Sequence, residues 1–597
     1  MNPLVRDRDI DFILDDVLDV TSLLKLPYFA DHDRQTVGMF LNSARRLARE
    51  VLFPAYKPMD EAPPRFEGGR IFVHPRMKEI FPKLVELGYA AATRPSAVGG
   101  QQIPMLVTTL AGAYLVAANL SVAGLVGLTT GAAHLLEAFA SEELRRLYMA
   151  PLYECRWTGT MALTEPHAGS SLADVATRAT PATDGSYRIT GAKIFISGGD
   201  HDLTENIVHM TLARIDGAPP GIKGVSLFCV PKRRVVEGGS LVDNDVSVTG
   251  MIHKIGWRGL PSLALAFGER GDCHGFLVGE PHRGISYMFQ MMNEARIMVG
   301  MNGVGSASAA FHEARAYAET RTQGRPLMAK DPTTKQVPIV EHADVRRMLL
   351  RQKAIVEGGL ALLARTAMYS DLAEHAESEA VRARSKLLLD LLTPVTKSFP
   401  AERGFEANTL ALQVHGGYGY SSEYLVESWW RDQKLNSLHE GTTGIQGMDL
   451  LGRKVIAGGG TALQAFAEEV AASVTAANEA KVDARLSSAV TRALDGVVAL
   501  TMELGAKGMS GDVDGMMLHS NDYLDLFSAV AIAWQHLTLA TAAKKKKTDT
   551  AEDAAFVRGK LLSAEHWIFT EMPRVDHLIA LCRSGEDSYA RIRSDEL

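Results

Sequence analysis

Residues 435–447 read LNSLHEGTTGIQG and set one carboxylate, Glu440, between a histidine and a Gly-Thr-Thr-Gly turn. The flanking side chains are mostly uncharged. By itself this is what a helix start looks like, with an acid near the positive end of the backbone dipole. An acid in apolar company has a second use, because a desolvated carboxylate is a stronger base than one in water. Local spacing does not choose between these readings, and the rest of the chain has to.

The chain has 597 residues, 46% hydrophobic and 22% charged, a globular composition at a length beyond what one hydrophobic core organises. Several domains are expected. A formal net charge of -7 gives no general electrostatic footprint for nucleic acid. The basic run at residues 544–547, KKKK, is the local exception, and a solvated loop between helices accounts for it. Cys155, Cys229, Cys273 and Cys582 include no CxxC pair, so neither a metal site nor a disulfide framework is expected, and a reducing, cytoplasmic setting fits. The N-terminal MNPLVRDRDIDFILDDVLDV is charged throughout and lacks the order of a secretory signal. An uncharged run over residues 95–136 is long enough to span a bilayer. Thr108, Thr109, Asn119, Ser121, Thr129 and Thr130 interrupt its apolarity, and no basic cluster flanks it. Two adjoining buried helices are therefore expected, and no integral membrane span.

Ile10, Phe12, Ile13, Val17 and Leu18 recur at near-helical spacing and predict an amphipathic segment within an extension over residues 1–35 that docks on the body. Helical patterns dominate 36–150, where FPKLVELGYAA closes at a glycine and SEELRRLYMAPL opens on a serine cap followed by acids. Over 151–283 the alternating runs SYRITGAKIFIS, NIVHMTLARI, GVSLFCVP and SLALAF predict a β domain. Helix returns over 284–456, with Ala, Gly and Ser dense enough for helices to approach closely. AGGGTAL reads as a linker, and 463–597 as a C-terminal helical domain. The fold class is thus multidomain α+β, in the order helical domain, central β domain, helical bundle and helical appendage.

Two further stretches could carry chemistry. MALTEPHAGSSL, residues 161–172, makes a turn from Pro166, Gly169 and two serines whose N–H groups and hydroxyls suit an anionic or carbonyl-rich ligand, though any tight turn needs such residues. In ITGAKIFISGGDH, Phe195 and Ser197 fall on one face of a strand. A flat ring beside a hydroxyl suits a planar ligand with a hydrogen-bonding edge, and equally a half-buried strand. These stretches stand in one order with HKIGWRGLPS, GEPHRGISYMFQMMNEARIMVG, RTQGRP, LQVHGGYGYSSEYLVESWWRD and HEGTTGIQ. In that order, across roughly residues 84–454, the chain resembles the acyl-CoA dehydrogenases. The N-terminal extension and C-terminal appendage are similar to the long bacterial branch of that family.

The resemblance implies an FAD enzyme that oxidises an acyl-CoA thioester to its trans-2-enoyl form. Glu440 matches the family's base, in a cavity where the acyl chain excludes water and raises its pKa. Its backbone N–H is expected to bind the thioester oxygen, a kind of contact whose loss typically costs about a hundredfold or more in rate. Leu163 and Thr164 match contacts to the flavin pyrimidine ring, Ser170 a pyrophosphate contact, and Phe195 and Ser197 the positions at the isoalloxazine and its N5. Arg321 matches an arginine that reaches the FAD of a neighbouring subunit, with Gln413 and Gly417 on the partner side of that contact and Thr442 a further hydroxyl. Arg296 and Gly441 fall on the substrate side. Some members carry the base immediately before the arginine matched by Arg296. Here that position is Ala295, and Glu294 is about 100° away around the helix. RTQGRP is one residue shorter than the commoner loop, and Gly444 stands where many members have Gln. A homodimer and an electron-transferring flavoprotein as acceptor are also implied. The rivals are an acyl-CoA oxidase and a DNA-binding flavoprotein of the alkylation response. Met291, Met292, Ala295 and Gly300 hint at an adaptable apolar pocket for a medium to long straight-chain substrate, with sulfur-containing and branched acids open.

Overall fold

Regular alternation of apolar and polar residues becomes sheet in this chain, and dense small residues become helix contacts. The structure, a computed structural model, describes residues 2–331 and 333–597, with the backbone alone for 289–293. Met291 and Met292 therefore lie outside the described side chains. The chain divides into two compact units, one of Val37–Ile103 with Tyr114–Met298, the other of Met1–Thr36, Pro104–Ala113 and Val299–Leu597.

The first unit holds an eight-stranded sheet. Its strands are β1 Thr158–Ala162, β2 Arg178–Pro181, β3 Tyr187–Ser197, β4 Ile207–Ile215, β5 Val225–Pro231, β6 Val246–Met251, β7 Ser262–Phe267 and β8 His274–Leu277. Their order is β6-β7-β3-β8-β5-β4-β1, with β2 pairing both β3 and β4. β1 and β2 run parallel to β4, and the other pairings are antiparallel. Residues 207–213 of β4 are buried without a break, because both faces of this strand are covered. Val208, Met210 and Leu212 join Leu135, Leu136 and Tyr148 in one core. Ala213 joins Ile189, Phe228 and Phe267 in another.

The helices used below are α1 Asp7–Phe12, α2 Met105–Phe139, α3 Gly284–Thr320, α4 Ala343–His375, α5 Glu379–His415, α6 Val426–Lys434, α7 Thr443–Asp449, α8 Thr461–Glu479, α9 Ala484–Met509, α10 Ser520–Lys545 and α11 Ala551–Ser584. α2 is broken at Asn119, where φ is -161° and ψ 89°, so the apolar run makes two helices end to end. α2 and α10 are each long and apolar enough to cross a membrane, but their most apolar windows are 89% and 94% buried in the structure. That burial makes them core helices.

In the second unit small residues set the helix spacing. A Cβ on Gly300 would sit 2.2 Å from the Thr396 carbonyl, and one on Gly303 2.7 Å from that of Pro400, so α3 and α5 meet backbone to backbone. The C-terminal helices share this core. Trp567 of α11 meets Phe399 of α5 edge-on at 5.5 Å, and Trp534 of α10 meets Phe466 of α8 likewise at 5.5 Å. The amphipathic N-terminal segment is not one continuous helix. After α1 comes a π-helical turn, Ile13–Val17, and then Asp19 in the left-handed region at φ 47°. It docks as expected, with Phe12 against Phe556 at 5.3 Å and Asp9 2.9 Å from the buried Lys560 Nζ. The solvated loop expected at 544–547 is solvated, with Lys544, Lys545 and Lys547 exposed, but only its second half is loop. Lys544 and Lys545 complete α10, and Lys546 pairs with Asp16 at 2.6 Å. All four cysteines are buried free thiols.

Candidate functional site

In the β-sheet unit, β1 runs straight into Leu163 and Thr164, both half-buried. The chain then turns tightly, because Glu165 and Ala168 exchange backbone hydrogen bonds of 2.9 and 3.0 Å. Ser170 lies exposed beyond the turn. The turn is anchored from inside by a pair that the sequence reading did not identify. Lys193 Nζ is buried and donates to Glu165 Oε1 at 2.8 Å, to the Leu163 carbonyl at 3.0 Å and to the Leu212 carbonyl at 2.8 Å. Glu165 also accepts from the N–H groups of Ala176 at 2.7 Å and Thr177 at 3.0 Å. Burial pulls the Lys193 ammonium down to about 8 against the attraction of Glu165. At Glu165 burial opposes the charge, and the Lys193 contact with the other hydrogen bonds outweighs it, leaving the carboxyl below its ordinary value. The only hint in sequence was a lysine inside an alternating strand, GAKIFIS.

Beside this turn, the N–H of Ile194 donates to the Thr164 carbonyl at 2.9 Å. β3 then bulges. Leu263 of β7 faces Ile196, but Leu265 faces Lys193, so β3 carries an extra residue there. Phe195 occupies the bulge at φ 61° with 59% of its surface exposed. A non-glycine residue in that region is strained, and bulges commonly re-aim a side chain next to a functional site. Ser197, half-buried, is paired with Ser262. Plain alternation is interrupted just before Phe195, so its direction is set by the bulge.

In the helical unit, Glu440 has φ 53° and Gly441 φ 82°, two consecutive left-handed residues. Thr442 follows as the cap of α7, its Oγ1 accepting from the Ile445 N–H at 3.4 Å. Gln446, buried in α7, reaches back with Nε2 to the carbonyls of Glu440 at 3.0 Å and Gly441 at 3.3 Å. No periodicity pointed to it.

Elsewhere in that unit, Tyr317 of α3 stacks on His415 of α5 at 4.4 Å. This holds the ends of the two helices side by side and puts Arg321, Gln413 and Gly417 at one end of the bundle, all exposed. The Arg321 backbone is fixed by bonds of 2.8 Å to the Tyr317 carbonyl and from the Ile339 N–H. A Cβ at Gly416 or Gly417 would meet nothing within 4 Å, so the surface there is open.

In the sheet unit's share of α3, Arg296 and Ala295 are buried. Glu294 bonds to His134 Nδ1 at 2.7 Å. Burial works against its charge, but the His134 contact and Arg94 hold it below the ordinary carboxylate value. A carboxylate engaged in this way is a poor base.

Four family models match consecutive parts of the chain. They describe the N-terminal domain of acyl-CoA dehydrogenase over residues 35–155, its middle domain over 160–269, its C-terminal domain over 282–455, and an acetyl-CoA dehydrogenase C-terminal-like segment over 464–593. A 3-methylmercaptopropionyl-CoA dehydrogenase of Ruegeria pomeroyi is 36% identical over 580 residues, 95% of each chain. A broad-specificity linear acyl-CoA dehydrogenase of Mycobacterium tuberculosis, FadE5, is 37% identical over 464 residues, 76% of each. Among solved structures, an acyl-CoA dehydrogenase complexed with FAD from Bacillus anthracis superposes with a TM-score of 0.75 at 20% identity, over 98% of this chain and 92% of that one.

Proposed function

The chain belongs to the acyl-CoA dehydrogenase family, and on that premise we propose that Glu440 is the base that takes the α-proton of an acyl-CoA thioester. The protein is an FAD-dependent oxidoreductase of the acyl-CoA dehydrogenase class. The residues present fit FAD. In the sheet unit, an aromatic ring left exposed at a strand bulge and the hydroxyls on Thr164, Ser170 and Ser197 suit a flavin, and in the helical unit the exposed Arg321 suits a pyrophosphate. When bound, FAD supplies the acceptor for the hydride that leaves the β-carbon.

The work of the chain is on the α-carbon. The thioester carbonyl acidifies the neighbouring C–H, and the Glu440 carboxylate removes that proton, so negative charge grows on the carbonyl oxygen. The Glu440 N–H is the chain's donor to that oxygen, and the left-handed turn at Glu440 and Gly441 fixes its direction. Arg296 and Gly441 flank the substrate side in the same reading. Leu163, Thr164, Ser170, Phe195 and Ser197 carry the cofactor, and Arg321, Gln413, Gly417 and Thr442 complete its site across subunits.

The observation that carries this reading is the strained backbone at Glu440, kept at the one carboxylate of HEGTTGIQ. Single-turnover bleaching of the flavin by acyl-CoA tests it in Glu440→Gln. A native rate in the FAD-loaded variant would overturn the assignment.

The reading extends to an electron-transferring flavoprotein as acceptor, to a medium or long straight-chain acyl-CoA, to a homodimer and to a cytoplasmic setting. The exposed Arg321, Gln413 and Gly417, together with Tyr420 at 99% and Leu327 at 98% exposure, support association of subunits. Four separate buried thiols support the setting.

A further inference from the structure

We propose that Gln446 is a positioning residue that holds the Glu440 carboxylate for proton abstraction, by clamping the left-handed backbone on which it stands. The proposal rests on the reading of Glu440 as the base. A non-glycine residue at positive φ persists only where its surroundings over-determine it. Here the determinant is visible. The buried Gln446 amide donates to the carbonyls of Glu440 and of Gly441 together, at 3.0 and 3.3 Å. Two carbonyl acceptors fix which end of the amide faces the turn, because a rotated amide would set oxygen against oxygen. With both carbonyls turned toward the helix, the Glu440 side chain and N–H are directed by the remaining geometry of the turn.

The clamp leaves no room for a side chain at the next residue. A Cβ on Gly441 would lie 2.6 Å from Gln446 Nε2, so this position needs glycine both for its φ and for the amide. Gln446 is in turn fixed from behind. Its N–H bonds to the Thr442 carbonyl at 3.0 Å, and the Thr443 hydroxyl bonds to Glu402 of α5. A Cβ on the neighbouring Gly447 would sit 2.7 Å from the Ser520 carbonyl at the start of α10. The C-terminal helical segment is thus the backstop of α7, and through Gln446 it buttresses the base.

The test uses Gln446→Met, near in volume but without a donor, and Gln446→Glu, which can donate only when protonated. In the FAD-loaded Q446M, flavin reduction at saturating acyl-CoA is expected to fall about tenfold to a hundredfold. FAD content, melting temperature and acyl-CoA dissociation constant should stay within about twofold or a few degrees. The ratio of Q446E to Q446M rates should rise as pH falls, because acid restores a hydrogen bond in the first alone. Glu402 is common to both variants and cancels in that ratio, whereas the ionised carboxylate introduced in Q446E also shifts Glu440 by its charge, so the pH dependence of the Q446E rate is compared with that of the parent as well. A native rate in Q446M, or a ratio flat with pH, would sink the proposal. If Q446M does not load FAD, Gly447→Ala carries the test by pushing α7 from behind. A slower reduction with unchanged substrate affinity supports the clamp, and a native rate refutes it. Glu440→Gln, measured alongside, separates the two readings. If it stays fast, the base assignment fails, whereas a dead Glu440→Gln beside a native Q446M removes the clamp alone.

Discussion

As the proposed base, Glu440 has to be both positioned and able to ionise, and the fold places it in a left-handed turn at φ 53°. Replacing it with the amide should slow flavin reduction by at least about a hundredfold to ten-thousandfold, the range for removing a positioned general base, with FAD still bound. Lys193 presents the opposite problem, a buried cation held by one carboxylate inside the sheet unit. Lys193→Met leaves the Glu165 carboxylate buried without its counter-ion and should cost about 3–5 kcal/mol in denaturant unfolding. Removing both charges in Lys193→Met with Glu165→Gln should recover much of that. If the single variant is as stable as the parent, the pair does not hold the Leu163 turn.

At the scale of elements, the sheet has its own pH sensitivity. His201 and His209 are buried, bonded to the hydroxyls of Thr158 at 2.8 Å and Thr160 at 2.7 Å. Burial, with Lys232 nearby, lowers their pKa values to about 4 and about 3. Both are neutral in the fold, whereas in the unfolded chain they take up protons below about 6.5. The unfolded state therefore binds more protons as pH falls. The stability conferred is full above about 6.5 and is lost progressively toward 4, by at most about 1.4 kcal/mol per pH unit for each histidine. Thermal unfolding between pH 7 and 4 should show this slope, and His209→Gln should flatten it. The N-terminal segment makes a second element-scale prediction. Lys560 Nζ lies between Asp9 at 2.9 Å and Glu357 at 2.8 Å, with Lys353 2.6 Å from the same glutamate. Asp9→Ala leaves the buried Lys560 and the half-buried Lys353 sharing one carboxylate and should destabilise the protein by about 3–5 kcal/mol. A melting temperature unchanged in that variant would show the docking to be dispensable.

Over the whole molecule, light scattering of the FAD-loaded protein should give twice the 64.7 kDa chain mass, and a tetramer would contradict the proposed homodimer. A panel of acyl-CoA thioesters followed by flavin bleaching should favour medium or long straight chains, and a preference for short branched acids would refute that choice. Turnover should reduce an artificial dye without stoichiometric hydrogen peroxide, which an oxidase would produce. The order of helical, β, helical and again helical segments was readable in advance, because the periods of 3.6 and 2 differ and the strands SYRITGAKIFIS and NIVHMTLARI alternate clearly. Glu440, Phe195 and Arg321 could be proposed because motif order is itself information. Gln446 and the contacts of residues 544–547 could not, because nothing local marks them, and Lys193 showed only as a lysine inside an alternating strand. Asp16 and Lys546 are 530 residues apart.

The amino-acid order alone determined the family and the class of chemistry, through the resemblance that its motifs carry in their order, and it offered Glu440 as the proposed base. Tertiary structure decided how that carboxylate is held. A left-handed turn, a glutamine reaching back to two carbonyls and a helix start pressed against Gly447 are relations between distant backbones. Hydrogen bonding and excluded volume act on distances that only the folded chain defines.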